Sequence, residues 1–234
     1  MLTSMILRAA ALLAEPSPCV HDLATPRPQV TRAEQEETKR VIRAVVADIG
    51  GSKDFAAVLV LIASRESSLQ RGLVHRLPLD LDGSTAAWRH TRDLYEGNRW
   101  AADASRWQTY GLFGMNSNYF TQVWDKSADP RVLCDAVVDV LVYQRAAARV
   151  AAKLRRSRAC APTWANIHAA VSSGKMCPAE ARLVQFRRRA DRAGINAERE
   201  VQGADLGRGP TRERQAAELE RLKTVLALGG SQRM

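Results

Sequence analysis

The sequence predicts a mainly α-helical fold with one small β-hairpin and a helical C-terminal extension. Three observations carry this. Apolar residues recur at helical spacing in several long segments. A glycine-broken stretch, "TYGLFGMNSNYF", places strand-type residues mid-chain. Beyond residue 178 the chain is rich in Arg, Ala, Glu and Gln. With 234 residues, 46% hydrophobic and 26% charged, the composition suits a globular protein with one sizeable core plus accessory segments.

"PSPCVHDLATPRPQV" is proline-rich, and proline discourages helix in itself and in the residue before it, so residues 1–30 are expected to be an irregular lead-in. Thr31 and Glu34 fit a capping box. Val41, Ile42, Val45, Val46 and Ile49 then follow at helical spacing as far as Gly50–Gly51. Ser52 suits the cap of a second helix whose apolar face runs Phe55, Val58, Leu59, Ile62; the next position on that face is Glu66. Residues 71–109 are mixed, with a turn at "DLDGST" and a helical-looking "TAAWRHTRDLY". After the hairpin a long helix is predicted from Asp135 to Arg156, apolar at Val137, Val138, Leu141, Val142 and Leu154. Its Arg145, Arg149, Lys153 and Arg156 form a basic stripe expected to face solvent. A shorter helix follows around "TWANIHAAV". Past Pro178 two exposed helices are expected, with "GADLGRGP" as a linker. The predicted division is a lead-in over 1–30, a main domain over 31–178 and a basic helical extension over 179–234.

The formal net charge is +10, and its excess lies late in the chain: residues 140–179 hold seven Lys or Arg and no Asp or Glu. Such a surface favours polyanions, namely nucleic acid, anionic membrane or an anionic cell wall. Interleaved aromatics are missing from the stripe, so no specific nucleic-acid partner is expected. No stretch approaches the roughly 18 apolar residues of a membrane helix. The N-terminal "MLTSMILRAAALLAEPSP" has a short apolar run and an Ala-ending site at Ala14, but Arg8 interrupts it and no basic residue precedes it, so a cleaved leader is not expected. Cys19, Cys134, Cys160 and Cys177 lack C-x-x-C spacing; buried free thiols are the expectation, with pairing among the last three the alternative in an oxidising compartment.

No metal or cofactor is expected. Asp80, Asp82 and Ser84 match the first alternating ligands of a calcium loop, but its glycine is misplaced and its twelfth position is Thr91 rather than Glu. His21, His75, His90 and His168 are scattered and read as ordinary surface or core histidines.

Glu66 is the candidate for chemistry. A carboxyl group on an apolar helix face is costly to ionise, so its pKa is expected to rise, and a carboxyl still protonated near neutral pH can donate a proton to a leaving oxygen. A glutamate at a helix end is by itself an ordinary feature. The order "ESS", residues 66–68, then "YGLFGMNSNYF", residues 110–120, gives it meaning.

These two segments resemble the lysozyme-like superfamily, in which a catalytic Glu followed by Ser precedes a hairpin of the form Y-G-[IL]-F-Q-[IM]-N. Both the animal-type lysozymes and the lytic transglycosylases are similar in this respect. The resemblance covers roughly residues 40–178 and implies an α+β lysozyme-like fold whose hairpin lines a substrate cleft. It makes Glu66 the general acid and Ser67 a support for the turn after it. It places Tyr110, Gly111 and Phe113 in the substrate hairpin, Asn116 at the substrate-binding Asn, and Tyr119 and Phe120 where aromatic rings line the sugar groove, with core packing as the alternative for these last two. Backbone groups of the hairpin would reach an N-acetyl amide. A fainter similarity is "HAAVSSG", residues 168–174, at the A-A-Y-N-A-G segment of transglycosylases, with Val171 for the Tyr and Ser172 for the Asn.

Two departures matter. Thr109 stands where animal-type lysozymes carry the second catalytic Asp, and Gly114 replaces the hairpin Gln. A lytic transglycosylase needs no second carboxylate. An inverting muramidase needs a base, which Asp80, Asp82, Asp93 or Asp103 could supply, with Thr109 positioning the water. The resemblance therefore implies a glycosidase acting on the bond between N-acetylmuramic acid and N-acetylglucosamine in peptidoglycan strands at the cell envelope, reached from the periplasm, within a virion or by release from the cytoplasm. The alternative is an inactive lysozyme-like component of a virion or secretion apparatus, docked through the basic extension.

Overall fold

The computed structural model describes residues 19–21, 29–75, 109–124, 130–173, 176–177 and 180–230. The expectations for the N-terminal apolar run, for "DLDGST" and "TAAWRHTRDLY", and for Asp80, Asp82, Ser84, Asp93 and Asp103, lie outside them. The described chain is mainly helical with a small sheet, as predicted.

Helix α1 (Arg32–Asp48) begins at the capping box: Glu34 N donates to Thr31 Oγ1 at 3.2 Å and Thr31 N to Glu34 Oε2 at 2.7 Å. Helix α2 (Lys53–Glu66) is capped by Ser52, whose Oγ accepts from Phe55 N at 3.1 Å. The facing rows, Val41, Ile42, Val45 and Val46 against Phe55, Val58, Leu59 and Ile62, are all buried. Each such side chain stabilises the fold by about 1.5–3 kcal/mol, so this pair forms one wall of the core.

Four short strands follow the order β1 (Val20–His21), β2 (Leu73–His75), β3 (Thr109–Tyr110) and β4 (Met115–Asn116). Strand β1 runs parallel to β2, and β2, β3 and β4 are antiparallel. The predicted hairpin ends sooner than its composition indicates, because "SNYF" already belongs to α3 (Ser117–Val123). A 3-10 turn (Pro130–Cys134) leads to α4 (Ala136–Ser157), whose N-cap Asp135 accepts from Val137 N and Val138 N at 3.0 and 3.1 Å. This helix passes through the middle of the core, with Leu141, Ala146, Ala147 and Leu154 fully enclosed. Helix α5 (Trp164–Ser173) packs on it, and α6 (Glu180–Arg192), α7 (Gly203–Leu206) and α8 (Arg212–Gly230) complete the chain.

Four expectations are corrected. First, the lead-in is not wholly irregular: β1 extends the sheet, and Cys19 is bonded to Cys134. Second, the cysteines are not free thiols, because Cys160 pairs with Cys177 as well, and Cys19, the one left out of the pairing alternative, takes part. Third, the segment beyond 178 is not a set of exposed helices. Leu183, Phe186, Ile195, Val201, Leu206 and Leu222 are buried in the same core cluster as α1 and α2. "GADLGRGP" is no linker either: it holds α7, Ser52 N donates to Asp205 O at 2.8 Å, and Arg208 N donates to Ile49 O at 2.7 Å. Leu183, Phe186 and Ala190 repeat at helical spacing, but the arginines and glutamates around them outnumber them, which is why the segment reads as solvated. Fourth, the basic stripe of α4 is partly consumed inside the molecule. Arg145 Nη1 donates to Gln215 Oε1 at 2.7 Å, tying down α8, and Arg149 donates to the Gln122 carbonyl of α3.

Candidate active site

Glu66 is the last residue of α2, and its side chain is 33% exposed, so it sits at a rim with its stem against the core. Arg65 Nε lies 3.3 Å from Glu66 Oε1. The chain then turns sharply. Ser68 and Leu69 both take positive φ, 54° and 64°, a left-handed backbone that costs a non-glycine residue about 1–2 kcal/mol. The turn is held by the Ala63 carbonyl, which accepts from Ser67 N at 3.1 Å, from Leu69 N at 3.1 Å and from Ser67 Oγ at 3.0 Å. Strain kept in place this way is common beside functional groups.

The hairpin brings Thr109 to Glu66. Thr109 and Asn116 are paired across β3 and β4 and are both half-buried, while Tyr110 and Met115, paired next to them, face the core. Between the strands Gly114 adopts φ +58°. A Cβ built on it would stand 3.8 Å from Glu66 Oε2 and 4.0 Å from Thr109 Oγ1, so the carboxylate and the hydroxyl flank one point above Gly114. That juxtaposition is the centre of the site.

Asp139, on α4, holds the hairpin from behind. Its Oδ2 accepts from Leu112 N at 2.5 Å and from Phe113 N at 3.4 Å, and burial pushes its carboxyl well above the usual carboxylate range, against the lowering effect of those two bonds. A Cβ on Gly111, whose φ is +77°, would fall 2.3 Å from Asp139 Oδ2 and 2.4 Å from the Leu133 carbonyl. Gly111→Ala is therefore expected to cost about 3 kcal/mol or more, from overpacking and left-handed strain together. Thermal unfolding checks this; a midpoint within a degree of wild type would contradict the packing described.

One helical turn beyond Asp139, the fully buried Tyr143 packs its ring 4.9 Å from that of Phe113. Burial pushes its hydroxyl pKa up, and the charges of Glu66 and Tyr119 add to the effect. The Tyr143 hydroxyl meets His168 Nδ1 at 3.1 Å, and Ser172 Oγ donates to the His168 carbonyl at 2.9 Å. His168 is depressed to about 4, by burial first and by the Arg65 charge second. A histidine that charges readily when unfolded but not when folded stabilises the fold fully above about pH 6.5 and loses that contribution as pH falls towards 4. The loss is roughly 3 kcal/mol. Asp139 acts in the opposite sense, since its burial is least costly when it is protonated. The histidine contribution is isolated by comparing wild type with His168→Gln: the variant is expected to lose less stability between pH 7 and 4, read from denaturant midpoints.

Several residues proposed for substrate contact are corrected. Phe113 is 6% exposed and Tyr110 7%, so both are core residues; Phe120, at 0%, follows the core-packing alternative, and Ser67, at 1%, is buried in the turn it was expected to support. Gly111 is pressed against Asp139 and Leu133 and is a packing position. The amides of Leu112 and Phe113 are engaged by Asp139, which leaves fewer hairpin backbone donors for an N-acetyl group. Glu66, Thr109, Asn116 and Tyr119 are half-buried and so keep some exposed surface. In "HAAVSSG", Val171 is half-buried and Ser172 exposed on α5. Sequence reasoning missed Asp139 and Tyr143; the available signal was an aspartate inside "VVDVLV", an apolar run in which a charge has to be held by something.

Comparison with family models, with curated proteins and with solved structures finds no match to this chain.

Proposed function

We propose that the chain is a peptidoglycan-cleaving glycosidase of the lysozyme-like type, with Glu66 as general acid and then base. The observation that carries this reading is the placement of a helix-end carboxyl and a hydroxyl, Glu66 and Thr109, at 3.8 and 4.0 Å from one point above Gly114, a glycine that leaves this space free of a side chain of its own. The carboxyl proton passes to the glycosidic oxygen as the C1–O bond breaks, and the substrate's N-acetyl oxygen bonds to C1 in its place. Glu66, now a carboxylate, then takes a proton from the attacking group. If that group is the 6-hydroxyl, the product is a 1,6-anhydro sugar. If it is a water placed by Thr109, the product is a reducing sugar. An inverting route through one of the upstream aspartates gives the reducing sugar of opposite configuration.

Two disulfides support an oxidising compartment, which agrees with action at the envelope. Mass spectrometry of the sugars released from purified peptidoglycan tests the reading. Anhydro-muramyl products unaffected by Thr109→Ala point to the transglycosylase route; reducing products lost in Thr109→Ala point to hydrolysis. No soluble sugars from folded wild type overturns the enzyme reading. The alternative, an inactive lysozyme-like component of a virion or secretion apparatus, draws support from the occupied amides of Leu112 and Phe113 and from the lost glutamine side chain at Gly114.

A further inference from the structure

Helix α2 is apolar on both sides. Its inner row is buried, while Ala57, Val60 and Leu61 turn outward and are only partly covered. A helix that is apolar all round belongs inside a protein or beneath a partner. These outer side chains, with Ala47 of α1 and Ile195, line a groove of about 1010 Å³ between the two helices. On its rim stand Lys39, Arg40 and Arg43 of α1 and Lys53 of α2, and among the described residues no carboxylate lines it. Lys39 and Arg40 are paired with Glu36 and Glu37 at 2.7 and 2.8 Å, whereas Arg43 and Lys53 make no ion pair among the described residues.

We propose that this groove docks an amphipathic helix of a partner protein whose apolar stripe is flanked by acidic residues. The small side chains of Ala47, Ala57 and Ser64 let a second helix come close, at an interaxial distance of about 8–10 Å. Arg43 and Lys53 then meet carboxylates on the flanks of that stripe, and the same cations reject a basic helix. The site is separate from Glu66 and does not depend on cell-wall cleavage.

The test uses the full chain and a fluorescein-labelled peptide of about 18 residues, long enough to hold a helix, with leucines at i, i+3, i+4 and i+7 and glutamates beside them. A second peptide carries lysines for the glutamates. Anisotropy titration is expected to show saturable binding of the acidic peptide at least ~10-fold tighter than of the basic one. The double variant Arg43→Glu with Lys53→Glu, both exposed positions, is expected to keep its thermal midpoint and reverse that order. Absent saturable binding of the acidic peptide, or binding indifferent to the double variant, overturns the proposal. So do three other results: a photo-crosslink from position 60 to residues 1–18 of the same chain, charge-dependent self-association in sedimentation, or binding of phosphatidylglycerol–phosphatidylcholine vesicles while the acidic peptide fails.

Discussion

Replacing Glu66 with glutamine is expected to lower the rate of sugar release from purified peptidoglycan at least ~100-fold, the smaller end of what a general acid supplies. Glutamine keeps the shape of the side chain and its lean against the core, but it has no proton to give a leaving oxygen and no carboxylate to take one back. Both halves of the proposed reaction therefore fail together. The loss belongs in the rate rather than in binding, so variant and wild type are expected to sediment equally with insoluble cell walls. At 33% exposure, with Arg65 as its one ion-pair partner among the described residues, Glu66 contributes little to the fold, and the thermal midpoint is expected to move by no more than a few degrees. Release by the variant at a wild-type rate would remove Glu66 from the chemistry.

Replacing both Cys19 and Cys134 with serine is expected to destabilise the fold by about 5 kcal/mol, against about 3 kcal/mol for the Cys160 and Cys177 pair. The difference comes from loop length. The first bridge closes a sequence separation of 115 residues and the second only 17, and a longer closure removes more freedom from the unfolded chain. The first bridge also fastens β1 to the 3-10 turn that leads into α4, so its loss frees the outer edge of the sheet. Denaturant unfolding of the two double variants, and of wild type with and without reductant, provides the measurement. Equal losses, or none under reductant, would show that the bridges do not constrain the chain in this way.

What was legible in the sequence was mostly local. The caps at Thr31 and Ser52 depend on residues three apart, and the buried faces of α1, α2 and α4 repeat every three or four residues, so pattern alone located them. Glu66 was legible because it continues a row that Ile62 leaves apolar. The aromatic residues were misplaced for a different reason. A motif names Tyr110, Phe113 and Phe120 but does not say which side of a two-residue strand or a short helix faces the cleft, and here the alternation turns Thr109 and Asn116 outward and Tyr110 inward. Asp139 was hidden because its partners, the amides of Leu112 and Phe113, lie 27 and 26 positions away. The Cys19–Cys134 disulfide was hidden because Cys19 sits among prolines that look unattached to anything, whereas the Cys160–Cys177 bridge lay within the pairing alternative.

The keying of α7 into the turn between α1 and α2 bears on how the protein is made. Gly207 stacks so closely on that turn that a Cβ would come within 2.4 Å of the Ile49 carbonyl, and Asp205 and Arg208 bond to its backbone. The corner joining the first two helices is thus finished by residues translated some 150 positions later, at a ribosomal pace of roughly 5–20 residues per second. For about ten seconds or more the nascent chain carries an incomplete notch with Ile49 beside it. A stop codon placed before Gly207 would leave that notch open for good, and such a fragment is a natural substrate for chaperones and proteases rather than a smaller working version of the protein.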